Sequence, residues 1–569
     1  MRRQLLQILT LCCITIGFSW PLTVIGQQAQ QAQQAQQAAD TLVVCPPEFQ
    51  QALQPWVEYR MQQGHNLKIT SPQTSEKLRA TIHRMAGQNT QLKTVVLVGD
   101  ASGDNIVPTN YVKANVNVLY GGQPDIATDN PYVDLDNDGT PELAIGRLTV
   151  DSPAELTKTI NRIIEYEKEA GGEWLQRINF IAGVGGFGGF IDTLIEQTAK
   201  QMITEIIPGG YKTTMTYGSW TSPYCPDPSK FDETSVAKFN EGCLFWVYIG
   251  HGATHFLDRV RLPDRSHRIL DRTNVETLAA TSGSPIALFL ACSTGGFDHA
   301  EDCLAETMLK QDKGPIAVIA STRVAMPYGL SLFTLEITQD YFSGDSATIG
   351  DLVKVAKRNL ILNEDKNPSE YRQIIEAMGR SFSPKPELLL AERREHADSI
   401  NLLGDPLLRV KRAEKLGLTG EVDEQTGTVR LSGSSPISGT AQIAVSLKRD
   451  RLRQRVPRRS EYDPSEFESY QTAYEQAQKL VCGMETQEIK EGDFDITVPI
   501  PESASGECVV QIYLQSENGF AIDSVPVRIS RKRKPANKER ADKEPTDKKS
   551  LVSNQADQAI IEPEFDKDK

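Results

Sequence analysis

Four short runs of uninterrupted apolar residues constrain this chain more than any other feature. They are Thr94-Val95-Val96-Leu97-Val98, Leu244-Phe245-Trp246-Val247-Tyr248-Ile249, Ile286-Ala287-Leu288-Phe289-Leu290 and Ile316-Ala317-Val318-Ile319. Each is too short to span a bilayer as a helix, and none alternates with polar residues as a strand with one wet face would. They are rich in β-branched and aromatic residues, and strands of this kind need cover on both faces. Phe180-Ile181-Ala182 reads the same way. Helical patterns separate them. Ser152-Pro153-Ala154-Glu155 has the cap residue and first-turn proline of a helix start, after which Leu156, Ile160, Ile163 and Ile164 share one face. Segments 191–206 and 300–309 read as further helices. The alternation predicts an α/β unit, a mostly parallel sheet flanked by helices, in two lobes over 41–147 and 148–412.

The flanks differ in kind. Arg2 and Arg3 precede an apolar stretch from Leu5 to Phe18, and Val24-Ile25-Gly26 offers a cleavage region. That order predicts an export signal over 1–26, followed by a Gln/Ala-rich linker over 27–40 and a secreted or cell-envelope location. Trp20-Pro21 breaks the apolar stretch, and no later run is long enough for a transmembrane segment. After Lys415 the pattern becomes alternating: Phe494, Ile496, Val498 and Ile500, then Val510, Ile512 and Leu514, with Asn518-Gly519 as a turn. This predicts an immunoglobulin-like β-sandwich over 413–530, interrupted by a charged insertion over 449–479. Residues 531–569 are too charged to build a core. A net charge of −14 offers no footprint for nucleic acid. Of nine cysteines, Cys12 and Cys13 fall in the signal, and the odd remainder leaves at least one thiol unpaired. Cys482 and Cys508 flank a β-rich stretch as candidates for a disulfide. Cys45, Cys225, Cys243 and Cys303 read as buried thiols.

Two of the buried strands end in reactive residues. One runs into Gly250-His251-Gly252, the other into Ala291-Cys292-Ser293. Ligands of an open parallel sheet bind outside the carboxyl ends of its strands, so His251 and Cys292 meet in one crevice if the strands are neighbours. A thiolate nucleophile beside an imidazole is the pairing that covalent acyl transfer requires. The glycines let the backbone approach a substrate, and the amides of Gly252 and Cys292 are the candidate donors to an oxyanion. His255 is a second histidine nearby, but without the glycine setting it reads as a rim or core residue.

Further landmarks follow one another in order: Val98-Gly99-Asp100, Thr128-Asp129 with Tyr132, Ile145-Gly146-Arg147, Tyr248-Ile249-Gly250-His251-Gly252, Ala291-Cys292, Ile319-Ala320-Ser321-Thr322 and Gly404-Asp405-Pro406. With these the chain resembles the gingipain family of cysteine peptidases, over approximately Leu42 to Val410. The resemblance implies a caspase-like fold, protein or peptide substrates and no catalytic cofactor. The 41-residue separation, histidine first, is on the scale of caspases, where it is about 50 residues. The implied mechanism is attack by Cys292 on a peptide carbonyl, protonation of the leaving amine by His251, and hydrolysis of the thioester by water. It also implies a substrate pocket edged by Ser321 and Thr322, with Asp192 standing where relatives that cleave after basic residues carry an acidic pocket base. Asp192 is equally a carboxylate near a helix start, favoured by the dipole, and Arg323 is close enough in sequence to the pocket edge to neutralise it. Arg-specific relatives carry an acidic side chain near the catalytic histidine. Here the loop is Gly183-Val184-Gly185-Gly186-Phe187, with no carboxylate, so a dyad is expected rather than a triad.

A second chemical signal is Asp134-Leu135-Asp136-Asn137-Asp138-Gly139, followed by Glu142. Alternating carboxylates around a glycine turn suit Ca²⁺, and Asp134, Asp136, Asp138 and Glu142 are the expected ligands of a structural ion. The loop is not an EF-hand, because its twelfth position is Ile145. The sequence thus predicts an exported cysteine endopeptidase, cutting after Arg or Lys if Asp192 serves the pocket. A catalytically inactive, calcium-stabilised cell-surface binding protein and a transpeptidase with the same dyad are the alternatives.

Overall fold

The apolar runs form strands because the chain supplies cover for both of their faces. In the computed structural model, which describes residues 38–530 except 104–105, 187–195, 197–199, 201–202, 363–368, 450, 452–458 and 518, ten strands make one sheet. They are β1 (Thr41–Val44), β2 (Leu67–Thr70), β3 (Thr94–Val98), β4 (Ala144–Leu148), β5 (Arg177–Ala182), β6 (Lys212–Tyr217), β7 (Phe245–Ile249), β8 (Ile286–Leu290), β9 (Ala317–Ser321) and β10 (Ile400–Leu403). Their order is β2-β1-β3-β4-β10-β9-β8-β7-β5-β6. Every neighbouring pair is parallel except β10 with β9, so the direction of the sheet reverses at that seam. The expected α/β class with a mostly parallel sheet is what the structure has. The predicted export signal, nearly all of the linker, Asp192 and the charged tail lie outside the described residues.

Alternate residues of each strand feed different cores. On β8, Ile286, Leu288 and Leu290 join Leu53, Trp56, Leu156, Ile160 and Phe333 on one face. Ala287 and Phe289 join Trp246, Phe239 and Leu304 on the other. The helices over these faces include α1 (Gln50–Gln62), α2 (Pro153–Lys168), α3 (Phe231–Asn240), α4 (Leu304–Leu309) and α5 (Pro327–Ser343). At the start of α2, Ser152 caps the Glu155 amide with Pro153 at the first position, as its sequence predicts. Helix α4 starts later than the predicted 300, because Cys303 is its cap residue and Glu306 accepts the Cys303 amide.

Three of the sequence landmarks meet where β4 adjoins β10. Arg147 is fully buried on β4 and makes a bidentate pair with Asp129, at 2.9 and 2.7 Å, and donates to the Val107 carbonyl at 2.6 Å. Gly146 admits the Gly404 carbonyl where a Cβ would lie only 2.6 Å from it. Asp405, also buried, accepts from Trp56 and from Arg60. These landmarks are a charge-satisfied joint between β4 and β10.

Beyond the sheet, residues 419–529 form a three-stranded and a four-stranded antiparallel sheet, the β-sandwich expected from the alternating pattern. Cys482 and Cys508 are both free thiols, on strands either side of Gly439–Leu447, so the disulfide suggested by the sequence does not form. The charged insertion contains a helix, Phe467–Gln478, that reaches back to the outermost strand β6. There the Gln478 side chain accepts the Met215 amide at 3.3 Å and donates to the Met215 carbonyl at 2.5 Å. Among the described residues, no helix is long and apolar enough to cross a membrane.

Candidate active site

Strands β7 and β8 are direct neighbours, parallel, with Ile249 opposite Leu290. The register therefore delivers His251 and Cys292 side by side, two residues past the same sheet edge. Backbone details press the two loops together. A Cβ on Gly252 would lie 2.8 Å from the Cys292 carbonyl and 2.7 Å from Thr294 Cγ2, so only glycine permits this approach. Gly250 has φ 153°, a region side chains rarely adopt, and the Tyr248 hydroxyl fills the space where its Cβ would be. On the other strand, Ser293 takes a left-handed φ of 54°, which turns the chain sharply just after Cys292. A non-glycine residue held there is strained, and such strain gathers at functional sites.

The histidine is held from two sides. Buried Tyr248 donates its hydroxyl to the His251 carbonyl at 2.7 Å, and the Asp258 amide donates to the same hydroxyl at 3.3 Å. The His251 ring is exposed and its Nε2 lies 2.7 Å from the Gly185 carbonyl. A carbonyl only accepts, so this contact puts the proton on Nε2 and leaves Nδ1 of a neutral ring as a base. The loop that lacks a carboxylate thus offers a backbone oxygen in its place.

Cys292 is partly buried. The Ala325 amide donates to its sulfur at 3.4 Å, and the thiol faces the Ala325 carbonyl at 3.6 Å. Burial raises the thiol pKa, and the Ala325 hydrogen bond opposes that shift. At neutral pH the sulfur is a thiol that needs a base to take its proton.

The remaining expected site residues are placed as follows. Ser321 and Thr322 are sealed from solvent, and their hydroxyls donate to the carbonyls of Arg323 and Ala127. Their side chains therefore do not line an open pocket. Arg323 pairs bidentately with Asp298, at 2.8 and 2.6 Å, so its charge is already answered. His255 is half-buried and packs edge-on against His299, 5.5 Å between ring centres. Asp134, Asp136 and Asp138 bring carboxylate oxygens within 4.8 Å of one another. Glu142 turns instead to the Leu135 amide and to Arg358 at 2.9 Å.

A second acidic set escaped the sequence reading. Asp100, Asp302 and Glu306 also bring oxygens within 4.8 Å. Burial pushes the Glu306 carboxyl up to about 8, with the Asp100 charge adding to the shift, and its Oε1 is buried without a partner. Only Asp100 carried a signal in the sequence, as the end of a landmark. Tyr248, Gly185 and Ala325 were missed as well, the last two because they act through backbone atoms.

Comparison with known proteins follows the geometry. A profile of peptidase family C25 matches residues 34–411. Lys-gingipain of Porphyromonas gingivalis is 26% identical over 297 residues, which cover 49% of this chain and 15% of the relative. Gingipain R2 of the same organism is 24% identical over 306 residues, covering 49% of this chain and 36% of the relative. The chain therefore spans well under two thirds of the length of these relatives. Among solved structures, the Arg specific cysteine proteinase gingipain R aligns with a TM-score of 0.49 and 17% identity, covering 87% of this chain and 98% of that one. The profile match takes in both strand ends and every landmark, and it bears out the resemblance drawn from them. The chain belongs to peptidase family C25.

Proposed function

We propose that this protein is a cysteine endopeptidase in which Cys292 is the nucleophile and His251 the acid–base partner. The observation that carries the reading is the register of β7 and β8, which ends both strands at one height with these residues two positions beyond. In the first step the Cys292 proton passes to Nδ1 of His251 while the sulfur attacks the peptide carbonyl. The developing oxyanion meets the amides of Gly252 and Cys292. His251 then gives its proton to the leaving amine, and water activated by the same imidazole releases the acid from the thioester. The Gly185 carbonyl keeps the ring in the required tautomer throughout, a part that carboxylates play in triads.

Cleavage after Arg or Lys is the expected specificity. It rests on the name of one relative, Lys-gingipain, and on Asp192 as pocket base. The charge of Arg323 is already paired with Asp298. Export to the cell envelope or beyond fits residues 1–26. Calcium acts as a structural ion. The all-oxygen set of Asp134, Asp136 and Asp138 suits it, whereas in the other acidic set both oxygens of Asp302 are taken by the Lys310 ammonium at 2.7 Å. Neither set touches the sulfur.

The deciding experiment labels the exported protein with a thiol-directed peptidyl probe carrying Arg or Lys before the warhead. Wild type should be labelled at Cys292, and Cys292→Ala should not. Equal labelling of both proteins would end the peptidase reading, and labelling only by probes with an acidic or apolar residue there would end the basic specificity.

A further inference from the structure

The segment that touches the catalytic sulfur is itself tied to a buried histidine. Ala325 presents its carbonyl to Cys292 Sγ at 3.6 Å, and the next amide, that of Met326, donates to Nε2 of His396 at 2.8 Å. The Ala325 carbonyl and the Met326 N–H belong to one trans peptide unit and point in opposite directions. One end of that unit faces the nucleophile and the other is anchored in the core.

The anchor has a fixed chemistry. His396 is fully buried, and its Nδ1 lies 2.7 Å from the Glu392 carbonyl. Since that oxygen only accepts, the proton sits on Nδ1, and Nε2 is a bare acceptor for Met326. Gly329 of α5 lies so close that a Cβ there would come within 2.5 Å of the ring, so the imidazole packs directly on the helix backbone. The charged groups around it are Glu392 and Glu395 on its own helix, Leu389–Ser399. Glu395 is taken by the amides of Asn115, Val116 and Asn117, and Glu392 by the Gly329 amide. From α5, Tyr328 donates to Glu376, which also pairs with Arg393. Burial keeps His396 neutral.

We propose that His396 is a positioning residue for the nucleophile: by accepting the Met326 N–H it holds the Ala325–Met326 peptide with its carbonyl toward Cys292. The inference rests on the reading of Cys292 as the nucleophile. A carbonyl oxygen beside sulfur favours the thiol over the thiolate. The anchor therefore keeps the resting enzyme protonated until His251 takes the proton, and shields the sulfur from oxidants and alkylating agents that attack thiolates. Without the anchor the peptide is free to turn over and present the Met326 N–H to the sulfur, which stabilises the thiolate.

The test uses the full-length protein and the rate at which iodoacetamide alkylates Cys292, followed by peptide mass across pH. In His396→Leu, which has no acceptor, the apparent thiol pKa should fall by about one unit, with alkylation about tenfold faster on the acid side. His396→Gln, whose amide oxygen replaces Nε2 as acceptor, should keep the wild-type profile. A His396→Leu profile that is unchanged or shifted upward overturns the proposal, as does a His396→Gln profile matching that of Leu. If the peptidyl probe labels Cys292→Ala as strongly as wild type, the nucleophile reading itself fails, and the two failures are told apart. Should His396→Leu not fold, selective ¹⁵N-histidine labelling of wild type decides: a protonated Nδ1 and bare Nε2 are expected, and a proton on Nε2 refutes the anchor.

Discussion

Gly252→Ala tests the coupling of the loops that carry His251 and Cys292 with one added methyl. Its Cβ would stand 2.7 Å from Thr294 Cγ2, 2.8 Å from the Cys292 carbonyl and 3.0 Å from Ala291 Cβ. Two of those three neighbours belong to the cysteine strand end itself, so relief has to separate the loops that carry His251 and Cys292. Reaching ordinary contact requires a shift of about 0.6 Å. Misplacement of reacting groups by 1 Å costs roughly 10²-fold in rate, so kcat/KM should drop by roughly 10- to 10²-fold. The same crowding should lower stability by about 1–3 kcal/mol. Gly296→Ala is the control, because its added methyl meets nothing nearer than 3.4 Å. Steady-state cleavage of a fluorogenic peptide and thermal unfolding, run on both variants, give the answer. If Gly252→Ala turns over substrate as fast as Gly296→Ala, His251 and Cys292 do not work as a pair.

Other perturbations follow from the same contacts. Arg147→Met leaves Asp129 buried without its partner and should destabilise the fold by about 3–5 kcal/mol, read as a lowered denaturation midpoint, whereas Arg430→Met, on an exposed ion pair, should change it little. His396, neutral when folded, has a pKa below its unfolded value of 6.5, so the unfolded chain binds the extra proton first. Its contribution is complete above pH 6.5 and is lost as pH falls below it, by up to about 1.4 kcal/mol per unit. Glu392, pushed up to about 7 by burial, acts in the opposite sense between that value and its unfolded 4.5. Urea titrations of wild type against His396→Gln isolate the histidine, and a constant difference from pH 7 to 5 would contradict its burial as a neutral ring. Calcium at a hundred times its dissociation constant should add about 2.7 kcal/mol of stability. Chelation should remove that gain, and so should Asp134→Asn with Asp136→Asn if this loop is the holder; a melting curve indifferent to calcium excludes both acidic sets.

Much of this was legible before any coordinates. Unbroken apolar runs have only one economical solution, a strand covered on both sides, and β7, β8 and β9 lie within a residue or two of where the sequence put them. His251 and Cys292 stood out because each follows such a run directly. The acidic pair Asp302 and Glu306 did not, since carboxylates four apart near a helix start are common on solvated surfaces, and only the fold brings Asp100 against them. Gly185 and Ala325 contribute a carbonyl and an amide, which every residue has, so their side chains announce nothing. Cys482 and Cys508 misled for the opposite reason: their sequence neighbourhood suggested a bond, but an intervening strand separates theirs. The landmarks around Arg147 were recognisable as a pattern, but their meaning as a satisfied charge network needed the packing.

The carboxamide of Gln478 has a consequence for anyone who wishes to trim this molecule. By giving and receiving hydrogen bonds at Met215, it impersonates the next strand and leaves the rim of the sheet partly sated. Removing the chain from residue 413 onward would strip that impostor away and leave bare donors and acceptors along 212–217. Such a rim recruits whatever extended chain it meets, most readily another copy of itself. The shortened enzyme should therefore clump before it loses its chemistry.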